Sequence, residues 1–149
     1  MIHFDEVKEI IGQPESTVLE YKSTLPTANS IARDIAAFAN TEGGWLIIGV
    51  QESRNQSMEV IGVPYDIPAL AVIESSLMRL KPKPRIDHNF IKFNGKNLYV
   101  IKVEKISPLT IAENGKIFRR IGAAIQQSTP KENKQGGIPY IETFCIEVI

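Results

Sequence analysis

The chain has 149 residues, 43% of them hydrophobic and 23% charged, the size and balance of one ordinary globular domain. Its single cysteine, Cys145, excludes an internal disulfide framework and a cysteine-built zinc site. Net charge is zero, which argues against a uniformly basic nucleic-acid binder, yet residues 1–60 carry −5 and residues 61–149 carry +5.

All 13 basic residues of the second part lie between Arg79 and Lys134, a distribution that fits either a polyanionic partner or strands and loops solvated by lysine. No apolar run approaches the ~20 residues of a membrane span, so no membrane association is expected. The opening MIHFDEVKEI is acidic and amphipathic, unlike a secretory signal. The expected location is therefore cytoplasmic.

Phe4, Val7, Ile10 and Ile11 recur at helical spacing, and Gly12 can end that helix. Thr17 to Lys22 alternates as a strand, with Val18, Glu20 and Lys22 on one face and Thr17, Leu19 and Tyr21 on the other. After Leu25-Pro26, Thr27 can cap a helix over 28–40 whose apolar stripe is Ile31, Ala32, Ile35, Ala36, Phe38 and Ala39, with Arg33 and Asp34 off it. Asn40-Thr41-Glu42-Gly43-Gly44 ends that helix, and the apolar run Trp45–Val50 predicts a central strand covered on both faces. Met58–Val63 reads as its hairpin partner.

Pro68–Leu80 is helical again, with Leu70, Ile73, Leu77 and Leu80 on one side, and Lys81-Pro82-Lys83-Pro84-Arg85 stops it. Ile86–Phe93 and Leu98–Val103 follow as strands around an Asn94-Gly95 turn. Ile117–Ile121 is a short strand, and Ile141–Ile149 is expected to pair with a sheet edge, of this chain or of a partner. The class is α+β: one domain over 1–149, a mixed β-sheet with about three helices.

Several chemistries find no footing. There is no P-loop and no nucleophile elbow, and Gly43-Gly44 follows a helix and precedes a strand, the reverse of a dinucleotide fingerprint. His3 and His88 lack ligand spacing, and Cys145 lies in an apolar run where a buried, inert thiol is expected. Carboxylates remain. Glu15 and Glu20 lie five apart, and Glu42 and Glu52 flank the central strand; if the first two strands pair, some of them converge. Clustered carboxylates can hold Mg²⁺ or Mn²⁺ beside a phosphodiester, though most glutamates are merely solvated. On the basic side, Arg119-Arg120 is an adjacent pair on a strand, so one can reach a ligand while the other braces the fold or meets solvent. Lys81, Lys83 and Arg85 alternate with proline in a loop that fits a phosphate-tracking segment or a stiff linker equally.

These residues fall into a known pattern. Glu15-Ser16-Thr17-Val18-Leu19-Glu20-Tyr21-Lys22-Ser23 resembles the opening motif of the Schlafen-type AlbA domain, and Ile35–Val50, with A-F-A-N-T-E-G-G inside it, resembles that family's longest block. Ile61-Gly62-Val63, Gly95–Val103 and Ile117–Gly122 resemble its later blocks, so the motif-bearing core runs over about 12–128, with a tail over 129–149. The resemblance implies an α+β domain related to the Alba nucleic-acid-binding fold, placed in bacteria on transcriptional regulators. In the animal members it implies an endoribonuclease acting on structured RNA, using three carboxylates and a divalent metal. The first two fall on Glu15 and Glu20. The third is an aspartate just after the central strand, where this chain has Gln51, with Glu52 offset by one residue.

The expectation is therefore a nucleic-acid-binding module, with phosphate contacts from Lys22, Arg119, Arg120, Lys81, Lys83 and Arg85. The alternatives are a metal-dependent endoribonuclease using Glu15, Glu20 and Glu52, with Glu15 and Glu20 on the metal, and a homodimeric assembly module joined through sheet edges.

Overall fold

The computed structural model describes residues 1–55, 57–131 and 140–147, with 130–131 and 140–147 as backbone only. Among the described residues three α-helices, α1 (Phe4–Ile10), α2 (Ala28–Ala39) and α3 (Ala69–Leu77), combine with three small sheets. The principal sheet has four strands: β1 (Leu19–Lys22), β2 (Gly44–Ile48), β6 (Lys96–Val103) and β5 (Ile86–Phe93), in that order. β1 runs parallel to β2, and the other pairings are antiparallel, so this sheet is mixed and the class is α+β. A two-stranded ribbon joins β3 (Val50–Glu52) to β4 (Met58–Val60), and a three-stranded sheet joins β7 (Ile117–Ile121), β8 (Ala124–Lys131) and β9 (Tyr140–Glu147). Among the described residues no helix is long and apolar enough to cross a membrane.

The apolar run of β2 is buried on both faces, as its composition requires. Leu46 and Ile48 pack with Ile31, Ile35 and Phe38 of α2, while Ile47 packs on the other side with Val7 of α1, Val50 of β3 and Val100 of β6. α2 begins where Thr27 accepts a hydrogen bond from the Ser30 N–H at 3.2 Å. It ends in the tight turn Asn40–Gly43. At Gly43, φ is +76° and a Cβ would lie 2.7 Å from the Val103 carbonyl oxygen, so only glycine fits.

The expected strand Trp45–Val50 is broken at Gly49, whose φ of +110° redirects the chain. The Gly49 N–H still bonds the Lys22 carbonyl at 2.7 Å, but Val50–Glu52 leaves the sheet and pairs with β4. Met58–Val60 is thus the partner of β3 rather than of β2, whose neighbours are β1 and β6. The Asn94-Gly95 turn holds, both residues at positive φ. The helix expected over 68–80 ends at Leu77; Ile73 on α3 and Leu80 in the turn beyond it are buried as expected, but Leu70 is exposed. Of the stretch 141–149 expected to pair with a sheet edge, residues 141–147 lie in β9 beside β8, while residues 148–149 and the environment expected for the Cys145 side chain lie outside the described residues.

Candidate functional site

The candidate site is built where β1 emerges beside the β2–β3 break. The parallel register sets Glu20 opposite Leu46 and Lys22 opposite Ile48. Gly49 then turns β3 so that Gln51 and Glu52 are both exposed. Glu15, Glu20, Lys22, Gln51 and Glu52 line one cavity of about 200 Å³. The three carboxylates marked by the sequence therefore share a cavity, and Gln51 and Glu52, though successive residues of β3, both line it.

The wall behind them is a buried charge cluster. Arg120 of β7 is almost wholly buried, and its guanidinium donates to the Ser16 carbonyl from Nε at 3.2 Å and from Nη2 at 2.6 Å. The same Nη2 donates to the Leu19 carbonyl at 3.4 Å and to Glu20 Oε2 at 3.2 Å, and the group lies over the Phe38 ring at 4.5 Å. Lys22 Nζ sits 3.5 Å from Glu20 Oε1 and 4.0 Å from Asp34 Oδ2. Two expected phosphate contacts are corrected here. Arg120 is the bracing member of the Arg119-Arg120 pair, and the Lys22 charge is engaged by Glu20 and Asp34. Arg119, on the opposite strand face, is the half-exposed member.

Asp34 joins the site without any mark in the sequence pattern. It lies off the apolar stripe of α2, yet it is fully buried, and neither of its oxygens has a hydrogen-bond partner among the described residues. Burial pushes it up to about 6, against the pull of Lys22, Arg120 and Arg33. Burial also raises Glu20, followed by the charge of Glu15, a hydrogen bond with Glu15 and the charge of Asp34; Lys22 opposes, and the result is about 8. Glu20 therefore keeps its proton at neutral pH. Glu15 Oε2 also accepts the Tyr21 N–H at 3.1 Å.

The polar residues of the A-F-A-N-T-E-G-G block serve the same scaffold. Buried Asn40 donates from Nδ2 to the Thr110 and Phe118 carbonyls, each at 3.0 Å, and accepts the Thr110 N–H at 2.8 Å. Thr41 Oγ1 donates to the Ala37 carbonyl at 2.8 Å and accepts the Arg120 N–H at 2.9 Å. The end of α2 is thereby pinned to β7, which fixes where Arg120 enters the cluster.

This arrangement does not fit a divalent metal. Mg²⁺ and Mn²⁺ need several free oxygen ligands, whereas the Glu20 oxygens face Lys22 and Arg120. Among the described residues no three His, Cys, Asp or Glu side chains converge to hold an ion. The other expected basic residues lie elsewhere. Lys81, Lys83 and Arg85 are exposed on the loop between α3 and β5, where a backbone bridge ties Lys81 to Ile111 and Arg85 approaches Glu104 at 3.9 Å.

Comparison with known proteins agrees with this layout. An N-terminal domain of a Nitrosomonas europaea protein named as related to the ATP-dependent DNA helicase RecG superposes with a TM-score of 0.52 at 25% identity, covering 79% of this chain and 85% of that one. The DIP2311 protein of Corynebacterium diphtheriae gives a TM-score of 0.52 at 20% identity over 70% of this chain; that match spans 21% of the DIP2311 chain and speaks to fold alone. The profile of the Schlafen, AlbA_2 family matches residues 15–129, from the carboxylate Glu15 past the buried Arg120. With its opening motif, its A-F-A-N-T-E-G-G block and its Arg120 clamp all inside that span, the chain belongs to the Schlafen, AlbA_2 family.

Proposed function

We propose that the protein is a nucleic-acid-binding module that holds phosphates and reads little sequence. The observation that carries this is the loop over 81–85. Lys81, Lys83 and Arg85 are all exposed on one proline-stiffened segment, and among the described residues neither lysine is ion-paired. A proline-stiffened row of exposed cations suits a phosphate backbone, since little chain entropy is lost on binding. Half-exposed Arg119 adds a further contact. Family membership and the RecG-related neighbour support the same reading. Its setting is a cytoplasmic, homodimeric regulator of transcription, the dimer being testable by sedimentation velocity.

The test is fluorescence anisotropy with labelled DNA and RNA duplexes of unrelated sequence. Replacing Lys81, Lys83 and Arg85 together by Gln should weaken binding to all of them alike and reduce the salt slope by about 2–3, close to one for each phosphate no longer held. Unchanged affinity in the triple variant would remove this loop from the interface.

A further inference from the structure

An aromatic stack rises from the principal sheet to the surface. Phe90 of β5 lies directly opposite Tyr99 of β6, and their rings meet edge to face with centroids 4.8 Å apart. Tyr99 is buried, and its hydroxyl shares a hydrogen bond with His88 Nδ1, which fixes the ring. Tyr65, on the loop between β4 and α3, stacks on Phe90 at 4.7 Å with 28° between the ring planes. It is nevertheless 65% exposed. Phe90 therefore supports one face of the Tyr65 ring, and among the described residues no second ring covers the other. The result is an aromatic face held in place before any ligand arrives.

We propose that this outer face of Tyr65 stacks an unpaired nucleobase of a single strand whose phosphates lie on the loop over 81–85. The loop leads directly into β5, and Phe90 stands five residues beyond Arg85, about 16 Å along an extended chain, a span covered by a few nucleotides. An aromatic face alone suits many flat ligands; the exposed cations one strand-length away select one that is also a polyanion. Asp66 follows Tyr65 and Glu74 lies near His88, so negative charge is unfavourable at the ring and falls to the cations of the loop. Every base has a π-face, so stacking adds affinity without reading sequence. In a duplex those faces are covered by neighbouring pairs, so the ring favours unpaired segments. The inference rests on the nucleic-acid reading and deepens it, and an abasic strand separates the two.

The experiment measures anisotropy with a labelled DNA strand free of self-complementarity and with the same strand made abasic throughout, which keeps every phosphate and removes every base. The wild-type protein should bind the base-bearing strand at least about fivefold tighter, the lower end expected for one stacked base. Tyr65→Ala should bring that ratio close to one. Tyr65→Phe, which retains the ring, should preserve it. Equal wild-type affinity for the two strands, or an undiminished ratio in Tyr65→Ala, overturns the inference and leaves phosphate binding standing. A base preference that depends on Tyr65 but survives replacement of Lys81, Lys83 and Arg85 by Gln with no loss of affinity keeps the stacking face and overturns the role of the loop. Failure of both strands to bind overturns both readings.

Discussion

Replacing Arg120 by Met probes the clamp that holds the candidate site together. The variant keeps an unbranched apolar chain over Phe38 but removes every bond the guanidinium makes to Ser16, Leu19 and Glu20. The two carbonyls retain weaker local partners, since Leu19 N–H reaches Ser16 O at 3.4 Å and Ser16 N–H reaches Leu19 O at 3.0 Å. Losing the guanidinium donors should therefore cost about 2–3 kcal/mol even where Glu20 is protonated. Where Glu20 is ionised, the variant also strands a buried carboxylate with only Lys22 near it, and the cost should grow to about 3–5 kcal/mol. Because Glu20 titrates near 8, the first regime holds at about pH 5 and the second at about pH 9. Urea denaturation at both pH values measures this directly; the slope m should be unchanged and the midpoint lowered, more so at the higher pH. A loss below about 1 kcal/mol at both pH values would mean that the buried guanidinium is not what positions β1.

Other consequences follow from the same geometry. Asn40→Leu should destabilise by about 3 kcal/mol, because Thr110 N–H and the Thr110 and Phe118 carbonyls lose a buried partner; a melting temperature within 2 °C or so of wild type would contradict that role. Gly43→Ala should cost about 2–3 kcal/mol through its positive φ and the clash with the Val103 carbonyl, read as a lowered urea midpoint, and a neutral result would show that the turn is free to move. Glu20 and Asp34 titrate above their ordinary values of 4.5 and 3.8, so the native state holds protons that the unfolded chain releases. Their contribution to stability is therefore complete at low pH and declines as pH rises toward 6 and then 8. Glu20→Gln should flatten the part of that decline between about pH 5 and pH 8, and an unchanged profile would place the titration elsewhere.

Much of the scaffold is legible in the sequence because hydrophobic pattern and turn chemistry agree. The stripe of α2, its Thr27 cap, the doubly covered β2 and the Asn94-Gly95 hairpin all follow from local rules. The strand break at Gly49 is hidden because Val50 continues the apolar run; its cause is a backbone angle, which composition does not display. β8 is not legible since Gln126, Gln127, Ser128 and Thr129 show no apolar alternation, and its pairing comes from neighbours on both sides. At the site, alternation shows that Arg119 and Arg120 face apart but not which one turns inward; the fold decides that when β7 packs against the end of α2. Asp34 is concealed for a similar reason. A helix with one apolar stripe suggests a solvated back, but α2 also meets β7 and α3, and Lys22 reaches Asp34 from β1.

The most direct test of the account is the salt dependence of binding. With a labelled duplex and wild-type protein, the logarithm of the association constant should fall linearly with the logarithm of salt concentration, with a slope of about −3 for three to four phosphate contacts. The slope should be the same for unrelated sequences. Binding that is absent at low salt, or that stays flat as salt rises, would show that the exposed cations of the 81–85 loop do not grip a phosphate backbone.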